Sequence, residues 1–216
     1  ICEGQTTTIF ATGAQSYSWS PPTGLSSVNS SVAQAFPTVS TNYTIMGVNN
    51  GFGINCTMTK EILIEVLPKI SPSISPSVTI CNGQSTRLVA DGSNTYSWTP
   101  SASLNNGTIA NPIANPSVTT MYTVNISNYG NCTVPATVLV RVNPTPTVFA
   151  GEDFAVNLDE PMYLNANGSG TLTWIAGEGI FCSVCPNSQI TPKISGCYKV
   201  RATNSFNCIA DDEVCV

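Results

Sequence analysis

Nine cysteines among 216 residues, and not one histidine, limit what this chain can do chemically. The sharpest spacing is Cys182-Ser183-Val184-Cys185, because Cys-x-x-Cys serves both redox pairs and zinc sites. A redox pair needs a helix N-terminus in a βαβ setting, but Pro186-Asn187 follows and strand and loop patterns surround it. Zinc needs a second close pair or histidines, and the other cysteines are isolated. What remains is a short loop closed by its own disulfide.

Carboxylates are the other reactive groups. Eight of the twelve fall in the last third of the chain, and Glu152-Asp153 and Asp211-Asp212 there could contribute calcium oxygens. No EF-hand or nonapeptide calcium motif accompanies them, so solvated surface charge is the simpler reading. With histidine absent the usual general base is missing, and the chain reads as non-enzymatic and free of cofactors. A net charge of −5 argues against nucleic acid as a partner, and no apolar run approaches the ~20 residues that span a bilayer.

The elements that position these groups are written three times. Trp19, Trp98 and Trp174 lie 79 and 76 residues apart, and Tyr43, Tyr122 and Tyr198 keep the same offsets. A period of about 75 residues exceeds a solenoid repeat, so each copy reads as a small domain: 1–69, 70–144 and 145–216. Ser77-Val78-Thr79 opens a strand before Ile80, whereas Ile1 has nothing before it, so the first copy reads as truncated and the chain as part of a longer one. Proline-rich stretches, Pro68 to Pro76 and Pro144-Thr145-Pro146, read as extended spacers of an elongated string.

Within each copy the local code is β. Segments such as Met121 to Ile126 and Thr137 to Val142 alternate apolar and polar residues, and Asp91-Gly92 and Asn106-Gly107 mark turns. About seven short strands around one tryptophan predict a compact antiparallel sandwich, with Trp19, Trp98, Trp174, Tyr43, Tyr122 and Tyr198 as core anchors. Each tyrosine hydroxyl is expected to tie to nearby backbone, in the manner of a tyrosine corner.

Duplicated positions suggest the cysteine pairing. Cys2 and Cys56 match Cys81 and Cys132, which predicts one bridge per copy, Cys2–Cys56 and Cys81–Cys132. In the third copy Cys208 matches Cys132, and Ala150 is read at the place of Cys81, leaving Cys208 odd. An antiparallel register centred on Phe206 sets Cys197 opposite Cys215, and Cys182 closes on Cys185. An odd cysteine in a secreted protein points to a reactive thiol or a bond to another chain or domain.

Three motifs carry a family resemblance. Cys-x-Gly-Gln (Cys2 to Gln5, Cys81 to Gln84), Tyr-Ser-Trp-(Ser/Thr)-Pro (Tyr17 to Pro21, Tyr96 to Pro100) and Pro-(Thr/Ser)-Val-(Ser/Thr)-Thr-x-Tyr resemble the PKD-like or immunoglobulin-like repeats of large surface proteins of Bacteroidota. The resemblance covers the whole chain, with the third copy as a variant. It implies an all-β chain of three tandem sandwich domains, type IX secretion and a place on the cell surface. The implied role is structural or adhesive, in a rod, filament or appendage. Low charge, short polar strands and the odd Cys208 point to copies of the chain as partners, with the third copy as contact region; host, prey or substratum glycans are further candidates. A glycan-binding module, or spacer domains of a secreted hydrolase, are the alternatives.

Overall fold

The computed structural model describes residues 1–51, 54–128 and 132–216, and every regular element in them is a β-strand. Side-chain alternation is what makes them so. In Thr120–Asn128 the residues Tyr122, Val124 and Ile126 are fully buried, while their neighbours face outward or lie half-buried.

One three-stranded antiparallel arrangement recurs in each module: a Trp strand, a Tyr strand and a return strand. In the first module these are Ser16–Ser20, Thr41–Gly51 and Ile54–Ile64; in the second, Thr95–Thr99, Thr120–Asn128 and Cys132–Asn143. In the third they are Thr171–Ala176, Cys197–Thr203 and Ile209–Cys215. The register repeats too. Trp19, Trp98 and Trp174 stand opposite Ile45, Val124 and Val200, and Tyr43, Tyr122 and Tyr198 opposite Ile62, Val138 and Val214.

A facing pair of short strands closes each sandwich: Thr7–Phe10 with Val32–Ala35, Thr86–Arg87 with Ile113–Ala114, and Met162–Asn165 with Asn187–Ile190. Three separate apolar cores result, each built on its own tryptophan and tyrosine. In the second module Val78–Cys81 adds a parallel fourth strand beside the far end of the return strand, with Val78 opposite Val140 and Cys81 opposite Asn143. The accessible surface of 12770 Å² exceeds by about a third the ~9,500 Å² of a compact chain of this mass, as separate cores in a string require.

The anchors are fixed by polar tips as well as by burial. The indole N–H of Trp19 donates to the Ser30 carbonyl at 2.8 Å, and that of Trp98 to the Ile109 carbonyl at 2.9 Å. Trp174 is equally buried, yet among the described residues its N–H finds no acceptor. The equivalent carbonyl belongs to Cys185, held in a four-residue disulfide loop. The tyrosine hydroxyls reach further than a corner motif predicts. Tyr43 donates to the Thr23 carbonyl, 20 residues upstream, and the Tyr122 hydroxyl is hydrogen-bonded to the Ser103 hydroxyl at 2.5 Å. They pin the loop after the Trp strand to the start of the neighbouring Tyr strand, and Gly24 makes room: a Cβ there would lie 2.9 Å from the Tyr43 oxygen.

Trp98 fills the centre of the second core, so Trp98→Ala is expected to destabilise that module by about 3–5 kcal/mol. Calorimetry of the oxidised chain should show one of its transitions moving down while the others stay.

Candidate functional site

The chemistry of this chain is concentrated where modules meet. Cys2 is bonded to Cys132 and Cys81 to Cys208, each pair with Cα atoms 5.6 Å apart. Each bridge runs from the opening turn of one module to the start of the next module's return strand. The expected pairs Cys2–Cys56 and Cys81–Cys132 are therefore wrong, and the odd cysteine is Cys56, which is exposed, not Cys208, which is fully buried.

Strand direction is the reason. Cys81 lies opposite Asn143 at the far end of the strand that Cys132 begins. Eleven steps at about 3.4 Å separate those ends by roughly 35 Å, whereas a disulfide needs Cα atoms within about 7 Å. In the first module Cys2 bridges to Leu67, again past the far end of the return strand that carries Cys56. Loop entropy does not choose between the schemes. Closing about 130 residues constrains the unfolded chain by ~5 kcal/mol and closing about 55 by ~4, so geometry decides.

The proline-rich segments belong to the same junction. The expected spacer between the first two modules is built into the second. Ser73 and Ile74 pair with Asp91 and Ala90, Ile70 is 5% exposed within the second core, and the Asn128 side-chain amide donates to the Pro68 carbonyl at 3.3 Å. Gly92 permits this approach, since a Cβ there would meet the Ser71 carbonyl oxygen at 2.8 Å. The next junction repeats it: Asn204 donates to the Pro144 carbonyl at 2.7 Å, and Phe149 pairs with Asn167. Proline suits these segments because their backbone is extended and sits at a sheet edge.

The third module has no cysteine in its opening turn. Its turn Asn157-Leu158-Asp159-Glu160 is the counterpart of Cys81-Asn82-Gly83-Gln84. In both, the fourth residue's N–H donates to the first residue's carbonyl, and the third residue has positive φ, +58° at Asp159 and +84° at Gly83. Asn157, not Ala150, therefore stands at the place of Cys81. Ala150 is instead a buried residue following the edge strand Val148–Phe149.

Two further bridges are local to the third module, Cys182–Cys185 and Cys197–Cys215, the latter joining directly opposed residues of the Tyr and return strands. Asp153, Asp211 and Asp212 are committed internally. Asp211 accepts two hydrogen bonds from Arg201, at 2.7 and 2.8 Å, with Lys199 at 3.6 Å. Asp212 accepts from the Ala150 N–H, and Asp153 from the Cys215 N–H. With those oxygens spent and Glu152 exposed, the pairs do not converge. Among the described residues no group of three or more His, Cys, Asp or Glu is placed to hold a metal ion.

A groove of about 520 Å³ lies on the first module. Phe10 to Ala14 form one wall, Tyr17 and Gly47 line it, and Cys56 and Met58 form the other wall.

Neither a protein-family model nor a curated protein matches the chain. Solved structures do match over nearly its whole length. The I-band fragment I67-I69 from titin is 15% identical, with 99% of this chain and 92% of that one covered and a TM-score of 0.47. The N-terminal eight Ig domains of Down Syndrome Cell Adhesion Molecule are 16% identical, covering 99% of this chain and 34% of that one at a TM-score of 0.42. The insect immune protein hemolin is 12% identical, covering 99% and 71% at 0.36. Among the described residues the chain is an all-β string of sandwich modules with three separate cores, and four disulfides suit an oxidising, extracellular setting.

Two predictions follow from the junctions and the acidic residues. Non-reducing peptide mapping is expected to recover Cys2 with Cys132 and Cys81 with Cys208. Cys132→Ser should raise the free thiols from one to two, whereas pairing of Cys2 with Cys56 in the parent would refute the geometry. The Arg201 guanidinium, more than any other group, holds the Asp211 carboxyl below the usual carboxylate range. Its contribution to stability is therefore present above about pH 4 and lost as pH falls through the depressed value. Asp211→Asn should melt lower than the parent at neutral pH, and the two melting temperatures should converge in acid.

Proposed function

We propose that this chain is a structural and adhesive segment of a long extracellular bacterial surface protein, in which each module is covalently stapled to the next so that the rod yields little under tension. The observation that carries the reading is the relay Cys2–Cys132, Cys81–Cys208, which joins successive modules in register with the docked linkers. The motif resemblance to repeats of large surface proteins supports a place on the cell surface, in a rod, filament or appendage. Module bounds of 1–69, 70–144 and 145–216 belong to the same proposal. The tryptophans favour it over glycan binding, since none of the three is more than 4% exposed.

The two bridges overlap, and this sets how far the chain can stretch. From Cys2 the shortest covalent route crosses to Cys132, runs back about 50 residues to Cys81 and crosses again to Cys208. At about 3.5 Å per residue, the oxidised chain held by its ends cannot exceed roughly 200 Å even when every module is unfolded, against about 750 Å when reduced. An adhesive tether built this way keeps its cell at a nearly fixed distance when modules unfold.

Optical-trap extension of the chain held by its two ends, with and without reductant, tests this. A final length near 200 Å oxidised and near 750 Å reduced is expected; equal lengths would overturn the role in tension. Antibodies against the segment should also decorate an appendage on intact producing cells in electron micrographs.

A further inference from the structure

The first module carries every feature of a stapled junction except the occupant. Cys56, third in its return strand, stands opposite Asn49 as Cys132 stands opposite Asn128, and Cys132 and Cys208 are both bonded to the module before. The inner face of that strand is open. Met58 is 71% exposed and Ile62 is 39% exposed, whereas Val138, the counterpart of Ile62 opposite the same tyrosine, is 2% exposed. In the second module this region is covered by the docked segment that contains Ile70 and Ile74. In the first, the 520 Å³ groove lies there.

Glycine and asparagine tell the same story. Gly13 is the counterpart of Gly92 and Gly168, which have linker backbone at 2.8 and 2.3 Å from an added Cβ. Around Gly13 there is nothing within 4 Å. Asn49 is the counterpart of Asn128 and Asn204, which hold the linker carbonyls of Pro68 and Pro144; its own side-chain amide turns back to the Gly13 carbonyl at 3.1 Å. Ala11 uses its N–H toward Ser31 on one side, as Ala90 uses its own toward Ala110, and Ala90 has the strand Ser73–Ile74 on the other.

We propose that the groove from Phe10–Ala14 to Cys56 is an acceptor for a further module of this same type. That module lays its proline-rich exit strand along Ala11-Thr12 as an added β-strand, with branched apolar side chains over Met58. The cysteine of its Cys-x-Gly-Gln turn bonds to Cys56. The two thiols surrender two electrons and two protons to a small-molecule disulfide such as oxidised glutathione, which leaves as two thiols. A second copy of the present chain cannot be the donor. Its turn cysteines, Cys2 and Cys81, are already bonded, and its third module has Asn157 in that place. The inference rests on the stapled geometry and not on the role in tension, so failure of the extension experiment would leave it standing.

The test is a four-module chain made by placing a copy of residues 1–79 directly before Ile1 of the full chain, so that Thr79 precedes Ile1 as it precedes Ile80. After oxidation with glutathione, one free thiol per chain is expected, the leading Cys56. Three free thiols would overturn the proposal. A single thiol could also arise from a bond between the two copies of Cys56, so the leading Cys2→Ser variant decides: two thiols support the acceptor site and none refutes it. Independently of that fusion, a synthetic peptide of residues 67–79 added at millimolar concentration to the native chain should shift NMR signals of Phe10–Ala14, Gly47 and Met58. Absence of shifts there would refute the docking groove, and dimerisation of the native chain through Cys56 would assign the thiol to self-association instead.

Discussion

A strand has two ends, and in this protein the distance between them governs how the modules connect. The opening segment of a module runs parallel to the return strand and meets it at its far end, as Cys81 meets Asn143. The cysteine at the return strand's beginning is then out of reach of its own module's opening cysteine, and each seeks a partner next door. Parallel alignment of first and last strands thus turns a pair of cysteines into an outgoing and an incoming hook. Every junction feature described above, from the bridges to the docked linkers, follows from that polarity.

The cores have a different job, which is to make the modules alike enough for the hooks to line up. Tryptophan and tyrosine stand on adjacent strands in the same register three times, and in the first two modules their polar tips tie in loops. The third module shows what varies at little structural consequence. Its tryptophan loop becomes the Cys182–Cys185 ring, its Trp strand has a register shift between Trp174 and Ala176, and a cross-strand bridge joins Cys197 to Cys215. Its acidic side chains serve to hold backbone N–H groups and Arg201 rather than to gather around an ion.

Much of this was legible in the residues. Alternation gave the strands, the repeated Trp and Tyr gave three cores, and the register centred on Phe206 gave Cys197 opposite Cys215, because all of these depend on neighbours close in sequence or on one hairpin. Two readings failed for a common cause. Pairing each cysteine within its own copy, and treating Pro68 to Pro76 as a spacer, both assumed that a repeat in sequence is a closed unit in space. The turn at Asn157 was also missed, although the 76-residue offset between Trp98 and Trp174 already sets Asn157 at the place of Cys81; the structure confirms it by the shared hydrogen bond and positive φ.

By itself, then, the amino-acid order determined the class of fold, the number of modules and the burial of their anchors, since side-chain periodicity and turn chemistry act over a few residues. Which thiol meets which, and which module a linker strand joins, were decided only in the tertiary structure. Both sets of cysteine pairs leave one thiol over and close loops of similar entropic cost. Only the direction of the strands, with about 35 Å between the two ends of one of them, separates the pairing that can form from the one that cannot.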